Sequence, residues 1–398
     1  MKGVLPIVAA VIGVQAAGAL LFAWSGLYNI AASSPHWPIT AWFLTFARDS
    51  SVRTYSMTVE EPPLLDDRAL VARGLGHYAG ACEPCHGAPG DRPTALSRGM
   101  QPVPPFLPPL IGDRSQRELF WIVKHGMKYT GMPAWPTQRR DDEVWAMVAF
   151  LEAMPGMPPA EYRERARGGT LFPAEDSEET ALRVAAIGQA GDALVACARC
   201  HGLYGEGGGD GAFPRLAGQK ADYLRQALRD YASGARPSGI MEAVAAELSE
   251  ADVARLAEFY AARSDRPFPP AGEVASDLLA QGERIATQGV PERLVPACGS
   301  CHGVQRQAGG GKQGLVFPDL GGQFAAYLDQ QLRLFAAGIP DGTAAGKIMI
   351  AAARGLTPED IRAVAVYYAW VRPDGSGDGA PIGGAGPPAP ESSAAAPQ

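Results

Sequence analysis

The residues of this chain that are best suited to chemistry are its six cysteines, which form three pairs of identical spacing. Two residues separate the cysteines of each pair, and a histidine directly follows the second cysteine. The three motifs are Cys82-Glu83-Pro84-Cys85-His86, Cys197-Ala198-Arg199-Cys200-His201 and Cys298-Gly299-Ser300-Cys301-His302. Every cysteine of the sequence belongs to one of them, so the chemistry must use two thiols and one imidazole three times over.

Paired cysteines also occur in disulfide scaffolds, redox pairs and zinc ribbons. A disulfide or a redox pair needs no histidine after the second cysteine. A zinc ribbon combines two such knuckles, and three knuckles do not divide into pairs. The pattern Cys-x-x-Cys-His is instead the attachment site of c-type haem, where both thiols bind the porphyrin and the imidazole ligates the iron. The sequence therefore predicts three covalently bound haem c groups, attached through Cys82, Cys85, Cys197, Cys200, Cys298 and Cys301.

A haem iron held by one histidine has a sixth coordination position, which a methionine closes in many electron carriers. Met241 and Met349 are the only methionines that follow the second and third motifs, and they hold matching positions. In the first segment Met132 lies in a Gly-Met-Pro turn, with Met127 as the fallback ligand. A lone methionine is more often a core gap-filler, but the repetition favours ligation. We predict the axial pairs His86–Met132, His201–Met241 and His302–Met349, and no iron ligation by His77 or His125.

The N-terminal segment is long and uncharged. No Asp, Glu, Lys or Arg occurs from Gly3 to Ala47, and Val4 to Trp24 is apolar enough to cross a bilayer. A cleaved signal peptide is the alternative, although its apolar core is usually shorter. The aromatic residues up to Phe46 are typical of a membrane-interface belt, with a short helix that caps the first domain as the alternative.

Behind this segment the chain repeats a unit of domain size with one haem motif in each copy. The second and third units share Phe213-Pro214-x-Leu216 and Phe317-Pro318-x-Leu320, and each ends in a helix whose Ser or Thr N-cap precedes an acid by three residues. The first unit lacks the Phe-Pro segment. The predicted divisions are an N-terminal anchor and interfacial segment (1–54), haem domains at 55–160, 178–266 and 274–373, and a disordered tail (374–398).

The composition agrees with this division and limits the partners. A chain of 398 residues is long enough for two or three domains, and its 46% hydrophobic content can build their cores. The formal net charge of −7 argues against a nucleic-acid partner, since such proteins present a basic surface.

At these motifs the chain resembles the class I c-type cytochromes, which are short helical domains with an N-terminal haem motif and a C-terminal methionine ligand. The second and third units resemble the tandem di-haem cytochromes c of bacterial periplasms. The first resembles single-haem domains that end in Gly-Met-Pro-Ala-Trp, and Ser25 to Trp37 resembles the leader of membrane-anchored multi-haem cytochromes. The resemblance implies an all-α fold with three tandem class I cytochrome c domains behind an N-terminal transmembrane helix.

The resemblance also implies contacts within each domain. The first helix should cross the last at a glycine, and the carbonyl of Pro214 or Pro318 should accept a hydrogen bond from the motif histidine. The first unit leaves open which proline serves it. The implied crossings are Gly74 and Tyr78 on Trp145 and Phe150, Gly188 on Phe259 and Tyr260, and Gly282 on Tyr367 and Tyr368.

These features together predict an electron carrier rather than an enzyme. The resemblance implies a single-pass protein of the bacterial inner membrane with its haem domains in the periplasm. It would relay electrons from a periplasmic dehydrogenase or quinol-linked complex to a terminal oxidase or soluble cytochrome. Two alternatives are a cytochrome subunit of a larger oxidoreductase complex and a multi-haem peroxidase-like enzyme with an open iron site.

Overall fold

The computed structural model describes residues 4–166, 185–208, 211–264, 274–303, 315–339 and 342–372. Within these ranges the ordered elements are helices, and extended pairing is limited to three isolated bridges. The predicted all-α class is therefore confirmed. The predicted disordered tail lies outside the described residues.

Two helices precede the first haem domain, α1 (Val4–Ser25) and α2 (Pro38–Ser56). Helix α1 buries no residue, and with a mean hydropathy of 2.2 it is long and apolar enough to cross a membrane. Trp42 and Phe46 near the start of α2 are exposed, whereas Val52 near its end is buried. The capping alternative for the aromatic segment is therefore wrong, because only the C-terminal half of α2 packs on the domain.

The first haem domain is organised around two crossing helices, α3 (Arg68–Ala81) and α7 (Asp141–Ala153). A side chain at Gly74 would overlap the carbonyl oxygen of Ala146, so the crossing requires a glycine. The rings of Tyr78 and Phe150 pack with their centroids 5.0 Å apart, as predicted. The domain is completed by α4 (Glu83–His86), α5 (Ala95–Arg98), α6 (Gln116–His125), α8 (Pro159–Ala166) and the 3-10 turns Ile111–Asp113 and Met154–Gly156.

The second and third haem domains repeat one helical arrangement. In each, the final helix begins with the predicted capping box, made by Ser249 with Asp252 and by Thr357 with Asp360. The second contains α9 (185–190 in its described part), α10 (Ala193–His201), α11 (Ala221–Ala232), α12 (Met241–Ala246) and α13 (Glu250–Ala261). The third contains α14 (Ser276–Gln288), the 3-10 turn Pro291–Arg293, α15 (Gly299–His302), α16 (Ala325–Ala336), α17 (Ala344–Ala353) and α18 (Pro358–Trp370).

The two repeats differ at the glycine of the first helix. In the third domain a side chain at Gly282 would overlap the carbonyl oxygen of Ala363 and lie 2.6 Å from Cβ of Tyr367, which confirms the predicted crossing. The prediction for Gly188 is wrong, because this residue is exposed and a side chain there would meet no atom of the described residues within 4 Å. In α9 the residues buried in the core are Ala186 and Ala190 instead. Gly188 lies midway between them and therefore on the opposite face of the helix.

The buried carboxylate that caps α18 predicts how the third domain responds to acid. Burial opposes the charge of Asp360, but hydrogen bonds from Arg293, Thr357 and Gln281 outweigh it and lower its pKa from 3.8 to about 2. A lowered folded-state pKa stabilises the domain above 3.8, and this stabilisation is lost as the pH falls toward about 2. We expect Asp360→Asn to lower the free energy of unfolding of this domain at neutral pH. The variant should also lose less of that free energy as the pH falls from 3.8 to about 2.

The matched control is Asp252→Asn, which removes the same cap from the second domain. The Asp252 side chain is 23% exposed, against 6% for Asp360, so solvent screens its interactions more strongly. Denaturant unfolding between pH 2 and 7 compares the two variants. Equal effects of both substitutions would contradict the assignment to buried hydrogen bonds.

Candidate haem sites

The three motif histidines are held by the same kind of hydrogen bond. In each, Nδ1 donates to a proline carbonyl oxygen: His86 to Pro105 at 2.9 Å, His201 to Pro214 at 3.0 Å, and His302 to Pro318 at 3.0 Å. Because a carbonyl only accepts, the proton sits on Nδ1, and the lone pair of Nε2 is available to a metal. The bonds to Pro214 and Pro318 confirm the prediction, and Pro105 fills the role that the sequence left open in the first domain.

The protonation states of the donors suit covalent haem attachment. All six cysteines are free thiols. Burial raises the pKa of Cys82 and Cys197 to about 12 and that of Cys298 to about 11, so these thiols are protonated at neutral pH. Burial also lowers the pKa of all three motif histidines, against the effect of the proline hydrogen bonds, and keeps the imidazoles in the neutral form that ligates metals.

The structure places the methionine candidates differently in the three domains. In the third, Sδ of Met349 lies 3.4 Å from Nε2 of His302, so the thioether and the imidazole are direct neighbours. In the second, Met241 and His201 line one cavity, which has a volume of about 340 Å³. In the first, Met132 is half-buried, and its N–H donates to the hydroxyl of Thr130 at 3.1 Å.

The remaining candidate side chains of the first domain have other surroundings. The backbone N–H of Met127 donates to the carbonyl of Met132 at 3.1 Å, so the fallback ligand lies in the same turn. The His77 ring packs on Trp135 with the centroids 4.7 Å apart, and burial together with the charge of Arg199 lowers its pKa to about 4. Met147, Met154 and Met157 are buried in the hydrophobic core, which agrees with a packing role.

The second and third domains meet through a pseudo-twofold set of hydrogen bonds. Gln219 and Gln323 hold the same position in the repeat, and each spans the interface with its side-chain amide. Gln323 accepts from the N–H of Arg215 at 2.9 Å and donates to its carbonyl at 3.0 Å. Gln219 accepts from the N–H of Asp319 at 3.0 Å and donates to its carbonyl at 2.9 Å. At this interface His201 and His302 line one cavity, so both haem motifs face the same space.

These glutamines were visible in the sequence as part of the repeated Phe-Pro segment, but their interface role was not predicted. A polar side chain retained at one position of both repeats was the available signal. A repeat within one chain does not reveal which copy a side chain contacts, so the role required the tertiary structure.

The first domain packs on the second haem motif. A side chain at Gly76 of α3 would lie 2.8 Å from the Phe213 ring and 3.2 Å from Sγ of Cys200. The guanidinium of Arg199, which lies inside the second motif, packs against Gly80 of the same helix. The second motif therefore contacts the first domain on one side and shares a cavity with the third motif on the other.

The residues present fit haem groups in both chemistry and space. Each site combines two thiols with an oriented, neutral imidazole, and the paired second and third sites line one cavity. When bound, haem supplies an iron that takes up and releases one electron. The motif cysteines would hold the group covalently, and the proline-bound histidines would ligate its iron.

Known proteins resemble the chain over its haem domains. Residues 69–151 match the family described as cytochrome c oxidase, cbb3-type, subunit III, and residues 188–261 and 280–371 match the family described as cytochrome c. A thiosulfate dehydrogenase electron acceptor from Stutzerimonas stutzeri (strain A1501) is 38% identical over 186 residues, which are 46% of this chain and 82% of that protein. Cytochrome c4 from Pseudomonas aeruginosa is 35% identical over 183 residues, which are 46% of this chain and 86% of that protein.

A solved structure adds a further likeness. Reduced recombinant cytochrome c4 from Pseudomonas stutzeri shares 30% identity and covers 47% of this chain and 97% of its own, with a TM-score of 0.38. The sequence relatives, the haem motifs with proline-bound histidines and the all-α fold agree with one another. The chain belongs to the class I c-type cytochromes, which carry covalently bound haem c and transfer electrons.

Proposed function

We propose that this chain is a membrane-anchored periplasmic cytochrome that relays electrons through three haems, each ligated by one histidine and one methionine. The observation that carries the proposal is the contact between Sδ of Met349 and Nε2 of His302, an imidazole held by its bond to Pro318. Ligation by both side chains closes the iron to substrates and favours a relatively high potential, as a relay requires. The proposed axial pairs are His86–Met132, His201–Met241 and His302–Met349.

The contacts between domains support electron transfer from one haem to the next along the chain. The second haem motif touches the first domain at Gly76 and shares a cavity with the third motif. In this arrangement the second haem lies between the other two.

The proposal includes a division of the chain into an anchor (1–54), three haem domains (55–160, 178–266 and 274–373) and a tail.

The proposed partners are other redox proteins. A relative of this chain is described as an electron acceptor for thiosulfate dehydrogenase, which supports a periplasmic dehydrogenase as the donor. A quinol-linked complex is the other proposed donor, and a terminal oxidase or soluble cytochrome is the acceptor. The match of 69–151 to an oxidase subunit family favours, as a second candidate, a cytochrome subunit of a larger oxidoreductase complex. Copurification of an oxidase or dehydrogenase with the detergent-solubilised chain would support that candidate.

The number of haems is the first test of the proposal. The purified full-length chain should contain three covalent haems by pyridine haemochrome assay and intact mass. Replacing both cysteines of one motif by serine should remove one haem and leave two, because each motif attaches its own group. A chain with two haems before substitution, or a double variant that retains all three, would refute the assignment.

Carbon monoxide tests the relay against the peroxidase-like alternative. Three irons closed by histidine and methionine should leave the ferrous native protein without bound carbon monoxide at neutral pH. Binding at one haem of the native protein would indicate an open site and favour an enzyme.

The proposed anchor predicts how the protein associates with membranes. Helix α1 is apolar and exposed along its full length, while the ion pair between Asp49 and Arg114, 2.9 Å long, fastens α2 to the first domain. We expect the mature chain to keep its N-terminus by mass spectrometry and to stay in the membrane fraction after carbonate washing. Release into the supernatant together with loss of α1 would indicate a cleaved signal peptide instead.

A further inference from the structure

A carboxylate of the first haem domain is buried against the Met241 loop of the second domain, which we define as residues 237–240 leading into Met241 at the start of α12. The Glu143 side chain belongs to α7 and is 3% exposed. Its Oε1 accepts from the hydroxyl of Ser238 at 2.6 Å, and its Oε2 accepts from the N–H of Gly239 at 2.6 Å. The Ser238 hydroxyl oxygen in turn accepts from the N–H of Met241 at 3.0 Å. Two hydrogen bonds thus connect the carboxylate to the backbone of the proposed ligand.

The same carboxylate reaches the methionine loop of its own domain. Nε1 of Trp135 donates to Oε2 of Glu143 at 3.3 Å, and Trp135 follows Met132 by three residues in the Gly-Met-Pro-Ala-Trp turn. The indole packs directly on Gly239, where any side chain would overlap Nε1. One carboxylate therefore joins the loops of two proposed methionine ligands.

Arg140 adds a third point of attachment. Its Nη1 donates to the carbonyl oxygen of Pro237 at 3.0 Å, and its Nη2 lies 3.2 Å from Oε1 of Glu143. The first domain therefore holds three consecutive residues of the loop, Pro237, Ser238 and Gly239. The guanidinium also supplies the charge that a buried carboxylate needs.

The corresponding positions in the other two domains have a different use. Asp252 and Asp360, the third residues of their final helices, complete the capping boxes of those helices. Glu143 is also the third residue of its helix, yet α7 has no side-chain cap. The longer side chain is directed across the domain boundary instead of back to its own helix start, so helix capping does not explain it.

We propose that Glu143 is a positioning residue that holds the Met241 loop where the methionine ligates the second haem, so that docking of the first domain strengthens this ligand. The inference rests on the proposed assignment of Met241 as an iron ligand. Loss of the carboxylate leaves Ser238 and Gly239 without their acceptor and frees the loop. Met241 then dissociates more readily. The Met132 turn loses only the longer bond from Trp135, 3.3 Å, and among the described residues Met349 in α17 has no bond to Glu143, so we expect the main effect at the second haem.

The experiment measures imidazole binding to the ferric full-length protein, followed by absorbance. An external ligand must displace methionine, so its apparent affinity rises by the factor by which methionine binding is weakened. Since a buried hydrogen bond to a charged group contributes appreciably, we expect Glu143→Ala to raise the imidazole affinity of one haem about 10- to 100-fold. Glu143→Gln, which keeps one acceptor oxygen, should give a smaller increase.

Two further variants make the result decisive. Ser238→Ala removes the partner on the other side of the boundary and should raise the affinity of the same haem. Asp252→Asn weakens a helix of the second domain without touching the loop and should leave imidazole binding unchanged. If Glu143→Gln and Ser238→Ala both bind imidazole as the native protein does, the positioning role is refuted.

Met241→Ala separates failure of this inference from failure of the ligand assignment. It should raise the imidazole affinity of one haem more than any other variant. If Met241→Ala leaves every haem unchanged, Met241 is not a ligand, and the assignment falls together with the inference. If Met241→Ala acts and the Glu143 variants do not, only the inference falls.

Discussion

Replacing Met349 by leucine is expected to open one haem iron to carbon monoxide and to lower the reduction potential of that haem by on the order of 100 mV. Sδ of Met349 lies 3.4 Å from Nε2 of His302, and the imidazole is fixed by its bond to Pro318. Leucine preserves the volume of methionine but has no donor atom. The iron would keep its histidine and lose the thioether that stabilises the ferrous state.

The measurement combines a potentiometric titration with a carbon monoxide difference spectrum of the full-length protein. Met147→Leu is the matched control, because Met147 is 1% exposed within the hydrophobic core of the first domain. That substitution should leave the potentials and the carbon monoxide spectrum unchanged. A Met349→Leu protein that binds no carbon monoxide and keeps all its potentials would show that another residue closes the third site.

Alanine is expected to have opposite effects at Gly188 and Gly282, the two glycines for which the family resemblance implied helix crossings in the second and third domains. At Gly282 it should destabilise the third domain by about 1–3 kcal/mol, because its Cβ would overlap the carbonyl of Ala363. A backbone oxygen cannot rotate away, so α14 and α18 would have to separate. At Gly188 it should stabilise the second domain by about 0.5–1 kcal/mol, since this helical position is exposed and alanine favours the helix.

Denaturant unfolding of the haem-loaded chain, followed for each domain by hydrogen exchange, tests this pair. Each variant is the control for the other, because both replace glycine by alanine in the first helix of a repeat. Destabilisation by Gly188→Ala, or a neutral result at Gly282, would contradict the packing described for these helices.

The local features of this protein could be read from the sequence because contiguous residues produce them. A haem motif brings both thiols and the imidazole within five residues, so all three attachment sites were visible without a fold. The capping boxes at Ser249 and Thr357 likewise need only four residues, and the length of α1 follows from one apolar run. The resemblance to the class I c-type cytochromes extended this to the bonds of Pro214 and Pro318.

Only the tertiary structure decided the features that depend on helix phase or on contact between domains. Gly188 and Gly282 were both expected at a helix crossing, but they lie 9 and 16 residues before the first cysteine of their motifs. Since a helix turns about 100° per residue, the face on which each glycine lies follows from its helix register, and only Gly282 is buried. Pro105 and Glu143 act on partners that are distant along the chain. The sequence therefore determined which groups are predicted to bind haem. Long-range packing, whose pairings no local pattern encodes, determined the contacts between the haem domains.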